Sequence, residues 1–131
     1  MKEIAIKENH LYNKTFKRGK RFVGRFVSVC ALRDLAARRL MLANPQKQYV
    51  NRIGLSVPKK EGGAIARNRA KRVIREGLRQ LEKKRDIKRG WLIVISSRPS
   101  ITGAKSTDVA RDLEYIFGKL DMYKADTEKR A

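Results

Sequence analysis

Arg67-Asn68-Arg69-Ala70-Lys71-Arg72-Val73-Ile74-Arg75-Glu76 places five cations within nine residues while keeping apolar residues at helical spacing. At about 100° per residue, Ala70, Val73, Ile74, Leu78 and Leu81 fall on one side, and Arg67, Asn68, Lys71, Arg72, Arg75 and Arg79 on another. One helix is thereby predicted to face a core and a polyanion at once. Cations that served only solubility would be interleaved with carboxylates for i,i+4 pairs, and from Arg67 to Gln80 the chain offers only Glu76.

The whole chain leans the same way. Its 131 residues hold 33 Lys and Arg against 13 Asp and Glu, a net charge of +20. Such a field repels itself unless an anion is bound, and nucleic acid with its condensed counterions is the default partner. A hydrophobic share of 41% suffices for one modest core, so residues 1–131 are expected to form a single domain with its core over about 9–123. No stretch approaches the roughly 20 apolar residues of a membrane span, and the N-terminus lacks a leader pattern, which points to the cytoplasm. Cys30 is the only cysteine and sits in an apolar run, as a buried reduced thiol would; with His10 the only histidine, the common zinc sets and a Cys-His nucleophile pair find no support. The thirteen acids are scattered among cations, so neither catalytic side chains nor a protein-held metal is expected.

Working outward from the basic segment, Gly62-Gly63 after Lys59-Lys60 reads as a basic turn, and Ile53, Leu55 and Val57 alternate as a half-buried strand that Pro58 closes. Residues 34–50 read as a variable insertion between strands. Earlier still, Arg21 to Arg33 is rich in β-branched and aromatic residues, and Gly24 divides it into two strands. Asn9 is a suitable cap for a helix to about Arg18, with Leu11, Tyr12 and Phe16 at helical spacing and Gly19 as its stop. The aromatics Tyr12 and Phe16 suit core packing on spacing alone; a platform for unstacked bases is the alternative.

Downstream, Trp91-Leu92-Ile93-Val94-Ile95 is a continuous apolar strand of the kind buried on both faces. Pro99 ends it, and Ser106 or Thr107 can cap a last helix with Val109, Leu113, Ile116, Phe117 and Leu120 on one stripe; residues 124–131 read as a frayed tail. The order αβββαβα predicts an α+β two-layer sandwich, about four strands in a mixed sheet with three helices.

The basic segment resembles the signature of the bacterial ribonuclease P protein subunit. Gly54-Leu55-Ser56-Val57-Pro58-Lys59-Lys60 resembles the strand and turn before that signature, and Phe16-Lys17-Arg18-Gly19 with Phe26-Val27 resembles the family's first helix and second strand. Five segments in the right order make the match specific over roughly Asn9 to Tyr123. The resemblance implies a left-handed crossover through the basic helix, against the right-handed connections found in about 98% of cases. It also implies an accessory subunit of an endoribonuclease that removes the 5′ leader of precursor tRNA, with chemistry carried by a catalytic RNA and magnesium bound mainly by that RNA.

By the same resemblance, Arg67, Asn68, Arg69, Lys71, Arg72 and Arg75 contact the catalytic RNA, with Lys59, Lys60 and Arg52 assisting. Tyr12 and Phe16 line a cleft for the single-stranded leader, together with Phe26 and Val27 on the cleft-side strand and Val29 where the family often has an aromatic. A ribosomal or other structural RNA-binding protein is the principal alternative. A helix-turn-helix DNA binder fits less well, because no helix precedes Arg67 by a short turn, and a protein-only nuclease would need the clustered carboxylates this chain lacks.

Overall fold

A computed structural model of the chain describes residues 4–6, 9–34, 51–58, 62–88 and 90–123. The expected insertion beyond Asp34, the turn lysines Lys59 and Lys60, and the tail lie outside the described residues. In chain order the elements are β1 (Ile4–Ala5), α1 (Asn9–Arg18), β2 (Lys20–Val23), β3 (Val27–Arg33), β4 (Arg52–Ser56), α2 (Ala64–Lys84), β5 (Trp91–Ser97), a 3-10 turn (Pro99–Gly103) and α3 (Ser106–Lys119). This is the mixed α+β sheet with three helices that the sequence implied, with a two-residue strand added at one edge.

The strand order is β1-β4-β5-β3-β2. β5 is central, parallel to β4 and antiparallel to β3, and α2 joins the parallel neighbours β4 and β5. Its continuous apolar run follows from that position: Leu92, Ile93, Val94 and Ile95 are each at most 2% exposed, because both sheet faces are covered. On one face Val27, Val29, Ala31, Ile93 and Ile95 meet Ala70, Ile74, Leu78 and Leu81 of α2 and Val109, Leu113, Ile116 and Phe117 of α3. On the other, Leu92 and Val94 meet Leu11 of α1 and Ile6, with Tyr12 and Leu32 packed alongside. The α2/α3 layer and the sheet form the sandwich; α1 lies across the sheet's free side.

Local chemistry fixes these elements. Gly62 has φ +131°, a conformation costly for any side chain, at the turn that launches α2. The cap of α3 lies one residue before Ser106, the first cap expected: Lys105 takes that place, and its N–H donates to the Asp108 carboxylate at 3.0 Å. The hydroxyl of Ser106 instead accepts from Gln80 of α2 at 3.0 Å. Cys30 is a buried free thiol that donates to the Thr15 carbonyl at 2.9 Å, and burial pushes its pKa up.

The corner between β2 and β3 is held from the far end of the chain. The Asp112 carboxylate of α3 accepts the backbone N–H groups of Arg25, Phe26 and Val27 at 3.0, 2.8 and 3.1 Å. Charge-assisted bonds of this kind are roughly twice as strong as neutral ones. Arg98 and Ser100 add side-chain donors to the carbonyls of Gly24 and Arg25.

Tyr123 closes the fold by donating its hydroxyl to the Glu114 carbonyl at 2.7 Å, with the Arg85 guanidinium 4.0 Å from its ring centroid. Burial raises the phenol from 10.0 to about 12, with Arg85 opposing the shift. An acid whose folded pKa is raised keeps its proton better when folded, so this contribution is intact below pH 10 and lost as pH climbs to about 12. Urea midpoints measured at pH 9 and pH 11.5 should therefore fall less for Tyr123→Phe than for the parent chain.

Candidate nucleic-acid interface

Helix α2 divides its residues as the wheel demands. Ala70, Ile74, Gly77, Leu78 and Leu81 are buried, and Val73 packs at their margin. Diametrically opposite, Asn68, Arg72 and Arg75 are exposed and share one outward stripe. Arg67, expected with them, instead lies on the core side of the wheel between Ile74 and Leu78 and is half-buried there, and Lys71 is half-buried between the two sides. Because the apolar side is fixed against sheet and α3, the guanidinium groups are carried on a rigid rod of 21 residues.

Two arginines leave this display. Arg69 donates to the carbonyls of Thr102 at 3.3 Å and Ala104 at 3.0 Å, tying α2 to the 3-10 turn. Arg79 is bound to Glu76, and that hydrogen bond holds the Glu76 carboxyl below its usual range. The one acid of the segment thus neutralises the arginine at the far end of the stripe and leaves Arg72 and Arg75 uncompensated by it.

Arg52 requires a correction. Its Nε and Nη2 bind the Asp34 carboxylate at 2.6 and 2.8 Å, with side chains only 14% and 2% exposed. A guanidinium committed to a buried bidentate pair is not a surface contact for RNA. Asn51 beside it braces the same region, donating to the Lys88 carbonyl and accepting from the Trp91 N–H, both at 3.0 Å.

The other predicted site lies between α1 and the sheet. Tyr12 and Phe16 share a flank of α1: Phe16 is 43% exposed, and Tyr12 is half-buried with its ring over Gly54 of β4. A Cβ on Gly54 would stand 2.5 Å from the Tyr12 ring and hydroxyl, so only glycine lets the ring lie on the strand. Alternation places Ser28, Ser96 and Ser56 on this same face, and the register aligns them across β3, β5 and β4, with Val23 of β2 completing the row. The outcome is a shallow floor of small hydroxyls beside an aromatic wall.

Val27, Val29 and Phe26 do not belong to it. Both valines are 0% exposed and point to the opposite side, into the core beneath α2 and α3. Phe26 packs against the same core at the β2–β3 corner, with the Arg25 guanidinium 5.5 Å from its ring centroid. Ser28, one residue out of phase, occupies the face assigned to them. The serine row and Gly54 were missed; the alternation Arg52, Gly54, Ser56 opposite Ile53, Leu55, Val57 was the signal that could have found them.

Among the described residues no helix is long and apolar enough to cross a membrane, and β4, not a helix, precedes α2, which removes the helix-turn-helix alternative. A family model described as Ribonuclease P matches residues 1–121. The chain is 33% identical over 129 residues to the ribonuclease P protein component of Bacillus velezensis, covering 98% of each. It is 37% identical over 90 residues to that of Dehalococcoides mccartyi, covering 69% of this chain and 72% of the relative. In fold it is similar to the Staphylococcus aureus RNase P protein, with a TM-score of 0.70 at 24% identity over 94% of this chain and all of that one.

Proposed function

The chain belongs to the ribonuclease P protein family, and on that premise we propose that it serves its ribonucleoprotein in two ways, anchoring to the catalytic RNA through α2 and holding the precursor's leader beside α1. As a family member it is an RNA-binding protein of tRNA processing, part of an endoribonuclease complex with ribonuclease P RNA. The observation that carries the proposal is the stripe of Asn68, Arg72 and Arg75 on a helix whose reverse side is locked into the core. Guanidinium forks on a rigid support suit paired phosphate oxygens, and counterion release supplies the affinity.

The leader reading rests on the exposed Phe16, the half-buried Tyr12 and the serine row beneath. Stacking on such a wall is worth about 1–3 kcal/mol per base and tolerates any sequence, which suits leaders of varied composition. Substrate affinity then exceeds product affinity, since mature tRNA has no leader. Gly54→Val tests this wall: the added side chain displaces the Tyr12 ring, and discrimination between precursor and mature tRNA should drop about tenfold, the equivalent of one stacking contact, while affinity for the catalytic RNA stays unchanged.

Magnesium activates water and stabilises the leaving oxygen in phosphodiester hydrolysis. Among the described residues no three His, Cys, Asp or Glu side chains gather; the reading assigns magnesium mainly to the RNA and the complex to the cytoplasm. The deciding experiment is reconstitution with catalytic RNA at low magnesium: stimulated cleavage of precursor tRNA is expected, and stimulation absent at every magnesium concentration would refute the reading.

A further inference from the structure

Helix α1 carries a second cationic surface on its outer flank, opposite Tyr12 and Phe16, with Lys14 half-buried at its edge. His10, Asn13 and Lys17, and His10, Lys14 and Arg18, run along the helix at spacings of three and four residues, and together they line a shallow concavity. The ten residues of α1 include no Asp or Glu, and among the described residues none of these five side chains is ion-paired. Lys17 and Arg18 in the last turn gain from the helix dipole. Lys14 lies outside that last turn, so the dipole does not account for the whole stripe.

From this placement we infer that the outer surface of α1 binds the phosphates of the precursor's leader beyond the nucleotides held in the cleft. The inference rests on the leader reading above and extends it. Two features select the occupant. First, α1 and α2 lie on opposite faces of the sheet, so the surface given to the catalytic RNA is remote from this one, whereas the cleft wall of Tyr12 and Phe16 belongs to the same helix. A strand lying against that wall passes onto the outer face of α1 by crossing one helix diameter. Second, the cleft floor is serine and valine, so phosphate charge must be met beside it. Cations one helical turn apart, roughly 5–6 Å, match an extended strand contacted phosphate by phosphate.

The test uses the reconstituted ribonucleoprotein and precursor tRNAs with leaders of about 5 and about 12 nucleotides, lengths chosen to fill the cleft alone or overrun it. Lys14→Gln with Lys17→Gln and Arg18→Gln should weaken the long-leader precursor about tenfold and lower its salt slope by about 2, the value expected for three lost single-strand phosphate contacts. Binding of the short-leader precursor and of the catalytic RNA alone should not change. Equal loss for both leader lengths, no loss for either, or loss confined to the catalytic RNA would each overturn the inference. The pair Tyr12→Ala and Phe16→Ala is measured in parallel: if it leaves short-leader binding intact, the cleft reading fails separately, whatever the α1 variants do.

Discussion

Replacing Arg72 and Arg75 by alanine is expected to weaken binding to ribonuclease P RNA by about 10- to 100-fold near physiological salt and to flatten the salt dependence by about 1 to 2 units of slope. Both side chains are exposed on the outward stripe of α2, and neither supports the core. The melting temperature should therefore stay within a few degrees of the parent, or rise, because removing two like charges from a chain of net charge +20 relieves self-repulsion. Filter binding or titration across 50 to 400 mM salt separates the two possibilities. A uniform loss with an unchanged slope would show that these arginines act through the fold instead of through phosphates. Arg69→Ala is the contrasting variant: it releases the 3-10 turn from α2 and should cost stability before it costs salt-dependent affinity.

Arg52→Ala should be the most destabilising single change at a charged residue. The Asp34 carboxylate, 2% exposed, would lose a bidentate guanidinium, and breaking a buried pair by removing one partner typically costs about 3–5 kcal/mol. For a chain of this length that corresponds to a fall of roughly 10 °C or more in melting temperature. Arg52→Met together with Asp34→Leu should recover much of it, because replacing both charges by apolar groups of similar volume removes the desolvation penalty as well as the attraction. Thermal unfolding of the two variants checks this. If Arg52→Ala melts like the parent and instead loses RNA affinity, the guanidinium is a surface contact after all.

Where the sequence spoke in periodicity it was legible. Asn9 to Arg18, the break at Gly24, the alternating strand at Ile53 to Val57 and the doubly buried strand from Trp91 all follow from side chains sampled at 3.6- or 2-residue intervals. The basic helix was legible for the same reason, since Ala70, Ile74, Leu78 and Leu81 are buried with Val73 at their margin, although Gly77 and Arg67 were not read as part of that side. What could not be read were partnerships between distant residues. Arg52 meets Asp34 across 18 positions and Arg69 meets Ala104 across 35, and nothing in the spacing marks an arginine as already engaged. The phase of β3 was lost differently: Val27, Val29 and Ala31 alternate with Ser28, Cys30 and Leu32, and both sets are small or apolar because both faces are covered. Alternation tells two sides apart only when their chemistry differs.

The carboxylate at Asp112 has a consequence for biosynthesis. It completes the β2–β3 corner from 85 to 87 residues downstream, so a nascent chain still lacking its final helix has no partner for those three amides. The β2–β3 hairpin, synthesised before β4, α2 and β5, is thus completed only once α3 is in place. Premature termination just before α3 would leave a corner that cannot lock, giving quality-control proteases an early handle on incomplete copies.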